Sequence, residues 1–398
     1  MSGALSDIRV LDVATFIAAP FCGTILSDFG AEVIKVEQPK IGDSLRRFGT
    51  VTECGDTLVW LSEARNRESV TLDLRREEGA ELFRRLVEKC DVVLENFRPG
   101  TMEGWGLGYD VLSRINPKLV MLRVSAYGQT GPMRQEPGFA RIAHAFSGLA
   151  YLSGEPGRTP VVPGSTSLAD YMTGMFGAIG VMVALRHAER TGKGQLVDIG
   201  LYESIFRVLD EIAPAYAKYG YQRERMGADT VNVVPHSHYR TRDESWVALA
   251  CSNDRMWERL TAAMEMPELA SDARYATAPA RNEHRSEVNA IVSEWVGNLD
   301  VEAVLAACAL HDAPCSKLLS IADIFSDPQY AARQNLLQVN DPRVGPLTVP
   351  APLPQLSETP PVFRSTGPAL GSGNSAVLGR LLGLEEADIR DLAARNII

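Results

Sequence analysis

The sequence predicts an α/β fold with a parallel, doubly wound sheet in a large domain and a second, smaller α+β domain. Two observations carry this prediction. In the first 125 residues, short β-branched and aliphatic runs alternate with amphipathic helical runs, a pattern typical of strand-helix-strand units. The chain has 398 residues, of which 45% are hydrophobic, so it is long enough for two or three structural units with a large core.

The predicted elements of the first part follow one another in a regular order. Strands are expected at residues 9–13, 32–37, 69–74, 91–95 and 119–125, with helices at 20–29 and 76–89. Gly30 ends the first of these helices. Because ligands of such sheets lie beyond the carboxyl ends of the strands, the loops after these strands are the expected binding site.

The middle of the chain has a different character. A long apolar helix is expected at 168–189, ended by a Thr-Gly-Lys-Gly turn and followed by a strand at 195–199. Residues 226–321 combine short strands with several helices, which indicates a separate small domain. The Pro-rich stretch 342–361 is expected to be an extended connection. The last helices are expected at 375–382 and 385–394.

Charge and composition exclude several classes of partner. Lys and Arg number 40 against 50 Asp and Glu, a net charge of −10 without a basic block, which opposes nucleic-acid binding. The longest apolar run, Met175 to Leu185, is too short to cross a bilayer, and the N-terminus lacks the features of a signal peptide. We therefore expect a cytoplasmic protein without a membrane partner, whose six dispersed cysteines are free thiols.

Several common enzymatic motifs are missing. The first strand is followed by Ala-Thr-Phe-Ile-Ala-Ala-Pro rather than by G-x-G-x-x-G, which disfavours a nicotinamide cofactor. Walker A, G-x-S-x-G and H-E-x-x-H are also absent. His236 and His238 either face a metal or an anionic ligand from one side of a strand, or lie at a solvated strand edge. Because no third ligand is nearby in the sequence, no metal site is predicted.

Asp170 has two competing interpretations. If Ser167 is the N-cap of the long helix, Ser-x-x-Asp forms a capping box in which the carboxylate only accepts a backbone hydrogen bond. In the other interpretation, the positive end of the helix dipole keeps the carboxylate ionised at neutral pH, so that it is a usable nucleophile. Nearby backbone amides would then stabilise an oxyanion. The residues alone leave both interpretations open.

Nine segments of the chain carry a resemblance to a known family. In chain order they are VLDVATFIAAPFCGTILSDFGAEVIKVEQPKIGD, NRESVTLDLR, VVLENFRPG, SAYGQTGP, LADYMTGMFGAIGVMVAL, TGKGQLVDIGLYES, DPQYAARQ, GPALG and VLGRLLGLEEADI. Together they resemble the class III CoA-transferases, the CaiB/BaiF family. Because the segment that contains Asp170 is among them, the resemblance favours the nucleophile over the capping box.

The resemblance implies a homodimer of two chains that pass through each other like linked rings. Each chain is expected to have a large Rossmann-like CoA-binding domain, formed by residues 1–225 and 322–398, with the small domain 226–321 inserted. No permanently bound cofactor is implied, because coenzyme A and acyl-CoA are substrates. The implied CoA contacts are Phe16, Ile17, Ala18, Gln38, Leu72, Arg75, Asn96, Phe97 and Phe139.

Two departures from the family pattern bear on function. Gly104 stands where relatives often carry an arginine, so one phosphate contact is missing or supplied elsewhere. Phe139 stands where the related α-methylacyl-CoA racemases place a proton-transferring histidine, and a phenylalanine carries no proton. A racemase or other CoA-dependent isomerase is therefore the weaker alternative, and a non-catalytic CoA-binding scaffold is a third.

The activity implied by the resemblance is acyl transfer through covalent intermediates. Asp170 attacks the donor thioester, and an aspartyl anhydride and an aspartyl-CoA thioester follow before the acceptor acid reverses the sequence. Succinyl-CoA is the expected donor and a short dicarboxylate the expected acceptor. The distal carboxylate of such an acid requires a positive group, and the candidates are Arg47, His236 and His238.

Overall fold

A six-stranded parallel sheet forms the centre of the larger unit of the chain. In the computed structural model, which describes residues 3–398, its strands are β1 (Arg9–Asp12), β2 (Glu32–Glu37), β3 (Arg67–Thr71), β4 (Val92–Glu95), β5 (Val120–Ser125) and β6 (Leu196–Gly200). They lie in the order β3-β2-β1-β4-β5-β6. Val10 of β1 pairs with Val33 of β2 on one side and Val92 of β4 on the other. The predicted α/β class with a parallel, doubly wound sheet is confirmed, and the strand order reverses between β1 and β4, where ligands of such sheets bind.

Helices cover both faces of this sheet. The helices between β1 and the second sheet are α1 (Ala18–Asp28), α2 (Leu58–Glu63), α3 (Glu77–Val87), α4 (Thr101–Gly104), α5 (Tyr109–Ile115), α6 (Ala140–Phe146), α7 (Leu149–Leu152), α8 (Leu168–Thr191), α9 (Leu201–Phe206) and α10 (Ile212–Tyr219). One face of the sheet packs on a core around Phe83 and Leu86 of α3, and the other on a core around Leu26 of α1 and Val181 of α8. The central strands β1, β4 and β5 consist mostly of apolar residues, as is typical of strands with both faces buried.

Helix α8 packs closely on its neighbours through glycines. A Cβ atom on Gly174 would lie 2.7 Å from the carbonyl oxygen of Ala18, and one on Gly177 would lie 2.8 Å from the Leu122 side chain. Within residues 3–398, α8 is the one helix that is long and apolar enough to cross a membrane. Nearly half of its apolar stretch is buried within the protein, as in the core helix of a folded domain.

A second compact unit comprises residues 151–161 and 222–333. Its antiparallel sheet consists of β7 (His236–Arg240), β8 (Trp246–Ala250) and β9 (Cys315–Lys317). Its helices are α11 (Asp254–Ala263), α12 (Ala278–Glu283), α13 (Arg285–Gly297), α14 (Val301–Leu310), α15 (Ile321–Ser326) and α16 (Pro328–Ala332). Trp257 is fully buried in its core. The unit extends beyond residues 226–321 because Tyr151 binds Gln222 and Glu224 through its hydroxyl group, at 2.8 and 2.6 Å.

Residues 334–398 belong to the larger unit again, together with 3–150 and 162–221. They form an antiparallel hairpin of β10 (Leu336–Asp341) and β11 (Gly345–Pro350), then α17 (Asn374–Leu382) and α18 (Glu386–Ala394), which add to the core around Phe83. The prediction of an extended connection over 342–361 is wrong for its first part. Each strand of a two-stranded hairpin has a free edge, so Pro346 and Pro350, which lack an N–H, are tolerated in β11.

Candidate active site

The loop between β1 and α1 lies where the strand order reverses. Phe16 has a left-handed backbone conformation (φ 66°), which is strained for a phenylalanine. Its N–H donates to Asp43 Oδ1 at 2.9 Å. The Thr15 N–H donates to Asn96 Oδ1 at 2.8 Å, and the Asn96 amide donates to the Thr15 carbonyl at 2.7 Å. Side chains that follow β2 and β4 therefore fix the path of this loop.

Buried charges support the same loop from within the sheet. Lys35 of β2 lies 2.8 Å from Asp43 Oδ2 and 3.5 Å from Asp12 Oδ1, and it also donates to the Ala14 carbonyl. Arg67 of β3 lies 2.8 Å from Asp12 Oδ2. The four charged side chains are at most 1% exposed. Two cations and two carboxylates balance one another, so that removing any one of them leaves an uncompensated buried charge.

A pocket of about 530 Å³ adjoins this loop and contains Asp170. Its walls come from the segments after β1, β4, β5 and β6 and from the starts of α6 and α8. The lining residues are Thr15, Phe16, Ala18, Phe48, Asn96, Val124, Ser125, Ala126, Gly138, Phe139, Ala140, Arg141, His144, Val162, Thr166, Ser167, Asp170 and Leu201. The pocket thus lies at the carboxyl ends of the strands, as the topology requires.

Asp170 occupies the first turn of α8, yet the expected capping box does not form. The Ser167 side chain makes no capping hydrogen bond, and across residues 3–398 the Asp170 carboxyl has neither a hydrogen bond nor an ion pair. Burial raises the pKa of Asp170 to about 7. The expectation that the helix dipole keeps this carboxyl fully ionised at neutral pH is therefore wrong. The half-buried carboxyl has lost part of its contact with water without gaining a partner, and that raises its pKa.

His144 of α6 is connected to the start of α8. Its ring is buried, and Nε2 accepts a hydrogen bond from the Ala169 N–H at 3.1 Å, which assigns the ring proton to Nδ1. Burial and the nearby Arg141 lower the pKa of His144, so that the imidazole is neutral. The N–H groups of the next two residues already donate to the Ser167 carbonyl. These three amides are thus engaged within the protein, and the role of nearby backbone amides in stabilising an oxyanion stays a prediction.

A second pocket, of about 230 Å³, shares Thr15 with the first. Its walls include the segments that come directly after β2, β3 and β4. Four predicted CoA contacts line it, namely Gln38, Leu72, Arg75 and Phe97. The Arg75 side chain is exposed and forms an ion pair with Asp73 at 2.7 Å, which lowers the pKa of that carboxyl. Phe97 packs edge-on against Trp105, with 5.1 Å between ring centroids.

The other predicted CoA contacts fall into two groups. Phe16, Ala18, Asn96 and Phe139 line the Asp170 pocket. Phe139 is 73% exposed, and its ring centroid lies 6.4 Å from that of Phe16. The Ile17 side chain lines neither of these two pockets, because it is buried in a small apolar cluster around Trp60.

The three residues predicted to bind a distal carboxylate lie on separate elements. Arg47 is exposed, donates to the Ile41 carbonyl at 2.6 Å and does not line the Asp170 pocket. His236 and His238 are alternate residues of β7 in the second unit, so they share one face of that strand. Their binding role stays a prediction. In the part of the chain that the structure describes, no cluster of three or more His, Cys, Asp or Glu side chains is arranged to hold a metal ion.

Sequence reasoning missed the residues that organise this site. Lys35 stands in the middle of the strand Glu-Val-Ile-Lys-Val-Glu, and a charged residue inside a strand that is buried on both faces requires a partner. That signal could have predicted a buried ion pair, whose partners the structure identifies as Asp43 and Asp12. Arg141 and His144 follow Phe139 on α6, where the sequence shows two basic side chains at a spacing of three on one helix face.

The fold and the two pockets define an α/β protein that binds its ligand beyond the carboxyl ends of a parallel sheet. The profile of CoA-transferase family III matches residues 5–374. The alpha subunit of succinyl-CoA–L-malate CoA-transferase from Chloroflexus aurantiacus is 53% identical over 395 residues, which cover 99% of this chain and 92% of that protein. The beta subunit, from strain ATCC 29366 / DSM 635 / J-10-fl, is 53% identical over 396 residues, which cover 99% and 98%.

A solved structure agrees with these sequence relatives. The crystal structure of a CaiB/BaiF family protein from Brucella suis has a TM-score of 0.83 and 33% identity, covering 96% of this chain and all of that one. This chain belongs to CoA-transferase family III, the CaiB/BaiF family. It is a CoA-transferase, an enzyme that moves CoA from an acyl-CoA to a free carboxylic acid. The resemblance inferred from the sequence is confirmed.

Proposed function

We propose that this enzyme transfers CoA from succinyl-CoA to a short dicarboxylate such as L-malate, with Asp170 as the covalent nucleophile. The observation that carries the proposal is the half-buried carboxyl of Asp170, which has no partner in its pocket at the carboxyl ends of the strands. The relatives at 53% identity are named for succinyl-CoA and L-malate, which supports this donor and acceptor. The absence of a hydrogen bond leaves both carboxylate oxygens available to attack a thioester.

The reaction proceeds through two kinds of acyl-aspartate. The Asp170 carboxylate attacks the succinyl-CoA carbonyl, the C–S bond breaks, and a mixed anhydride and CoA thiolate result. The thiolate then attacks the Asp170 acyl carbon, which releases succinate and forms the aspartyl-CoA thioester. An acceptor carboxylate attacks this thioester, again giving an anhydride and thiolate, and the thiolate takes the acceptor acyl group to restore Asp170. Retention of CoA between steps keeps the thiolate close to the reacting carbon.

CoA itself is a substrate in this proposal and no resident cofactor takes part. The pocket lined by Gln38, Leu72, Arg75 and Phe97 receives the nucleotide end of CoA, and the thioester end reaches the Asp170 pocket across their shared Thr15. Arg75 exchanges its exposed ion pair with Asp73 for a CoA phosphate, a change that costs little because exposed pairs contribute about 0–1 kcal/mol.

The test of the nucleophile follows oxygen atoms through the reaction. When the acceptor acid carries oxygen-18, one labelled oxygen is left on Asp170 after each turnover. Peptide mass mapping should therefore find the label at Asp170, and hydroxylamine added with succinyl-CoA should convert the same residue to a hydroxamate. Asp170→Ala should lose transfer and keep its fold. Label at another residue, or wild-type turnover in this variant, would overturn the assignment.

The same assay separates the transferase from the two other candidate functions. A racemase or other isomerase would exchange the α-proton of an acyl-CoA with deuterated water without moving CoA to a new acid. A CoA-binding scaffold would bind acyl-CoA and catalyse neither change. Phe139, which lines the Asp170 pocket, has no titratable proton and so supports the transferase over the racemase.

The proposed assembly is a homodimer in the cytoplasm, with no nucleic acid or membrane partner. The chain is equally similar to the alpha and the beta relative, at 53% identity, so it resembles neither subunit in particular. Met175, Ile179 and Val183 are exposed and recur every four residues on α8, which gives an apolar stripe suited to a second copy. Light scattering of the pure protein should give twice the 43.4 kDa chain mass, and a monomer would refute this.

A further inference from the structure

We propose that Arg141 binds the distal carboxylate of the dicarboxylate substrate and so makes this transferase select diacids over monoacids. This inference rests on the proposed function and names the residue that sets the acceptor class. Arg141 lies in the first turn of α6 and lines the same pocket as Asp170. The side chain is exposed, and across residues 3–398 it has no hydrogen bond or ion pair. Its guanidinium group is therefore available to a ligand.

The charges of this pocket suit a diacid. Among the residues that line the pocket, Asp170 carries the one carboxyl group and Arg141 the one guanidinium group. The remaining titratable residue, His144, is a neutral ring that accepts a hydrogen bond from the Ala169 N–H. A substrate carboxylate that approaches Asp170 is repelled, and a second carboxylate on the same molecule adds to that repulsion. A guanidinium in the pocket compensates the second charge through a bidentate pair.

The two charged side chains of the pocket are not paired with each other. Arg141 and Asp170 line the same pocket, and within residues 3–398 they form no ion pair with each other. A diacid can therefore engage both of them, with one carboxylate at the nucleophile and the other at the guanidinium.

The earlier candidates fit this role less well. Arg47 already donates to a backbone carbonyl and lines neither of the two pockets described above. His236 and His238 lie on β7, in the other compact unit, and do not line the Asp170 pocket. A permanently charged guanidinium binds a carboxylate at every pH at which the reaction runs.

The experiment measures transfer to matched acids that differ by one carboxylate. Succinate and glutarate are compared with butyrate and valerate, for wild type, Arg141→Gln and Arg141→Lys. One set of assays uses succinyl-CoA as donor, and a second uses butyryl-CoA. Arg134→Gln is the control, because Arg134 is an exposed arginine in the loop before α6 that lies outside the pocket. Melting temperatures and CoA affinities of all variants are measured in parallel.

The expected result is a selective loss. Arg141→Gln should lower kcat/KM for both diacids by about 10- to 100-fold, the range of a lost charge-assisted pair, while monoacids change less than about threefold. Arg141→Lys should recover part of the loss, and Arg134→Gln should behave as wild type. Equal losses for diacids and monoacids, or weaker CoA binding, would assign Arg141 to CoA and overturn the inference. A wild-type enzyme without diacid transfer would instead refute the proposed function itself.

Discussion

Transfer activity is expected to fall steeply below pH 7. The reaction requires ionised Asp170, and burial raises the pKa of this carboxyl to about 7. The ionised fraction is then about 90% at pH 8 and about 10% at pH 6, so kcat/KM should drop nearly tenfold between these values. Initial rates of acyl-CoA formation from limiting succinyl-CoA, measured from pH 5.5 to 8.5 at constant ionic strength, give the profile. The substrate carboxyls ionise below about pH 6, so the comparison of pH 6 with pH 8 reports mainly on the enzyme.

Two variants identify the titrating group. His144 is the other group in the pocket with an ordinary pKa near this range, and His144→Gln should leave the midpoint in place because burial already lowers the pKa of His144. Arg141→Gln should lower the rate and keep a midpoint near 7, because burial is the cause of the raised pKa of Asp170. A profile that is flat from pH 5.5 to 8.5 would refute this reasoning and restore the helix dipole as the dominant influence.

The same pKa has a consequence for stability. The unfolded chain releases the Asp170 proton near the ordinary value of 3.8, whereas the folded protein keeps it up to about 7. Stability is therefore lost as pH rises through this window, by at most about 4 kcal/mol at pH 8. Asp170→Asn cannot ionise, so its gain in melting temperature over wild type should be larger at pH 8 than at pH 5, by the equivalent of about 2.7 kcal/mol. An equal difference at both pH values would contradict the raised pKa.

Three further predictions concern the supporting structure. His144→Leu leaves the Ala169 N–H buried without an acceptor and should lower kcat about tenfold, whereas His144→Gln should keep most of the saturating rate. Gly174→Val pushes α8 off α1 and should lower the unfolding free energy by about 1–3 kcal/mol in urea titrations, with Arg190→Val, at an exposed position of α8, as the control that changes little. Lys35→Met leaves two buried carboxylates short of a cation and should destabilise the fold by about 3–5 kcal/mol, a loss also visible as weaker CoA binding by calorimetry. A wild-type kcat for His144→Leu, or a wild-type unfolding free energy for either of the other two variants, would contradict the role given to that residue.

The elements that depend on local pattern could be predicted from the sequence. The strand predicted at 32–37 has those bounds, and the helix predicted at 168–189 runs to Thr191. The strand predicted at 69–74 is instead Arg67–Thr71, because β3 follows its pairing with β2 and the chain leaves the sheet after Thr71. The environment of Asp170 could not be predicted, since whether a carboxyl in a first helical turn caps its helix depends on residues far away in the chain.

The features of Asp170 that looked contradictory in the sequence have one physical origin. A carboxylate that caps a helix or pairs with a cation is stabilised, and the same stabilisation makes it a poor nucleophile. Asp170 has neither contact, and burial has removed part of its water, so its charged form is held at high free energy. Further burial of Asp170 would raise its pKa further, and too little of the carboxyl would then be ionised at neutral pH to react. A pKa near 7 is the compromise expected for a buried group that must be charged at neutral pH. The fixed loop at Phe16 and the His144 bond to Ala169 then keep the pocket in position while the carboxyl itself remains free to form and break bonds.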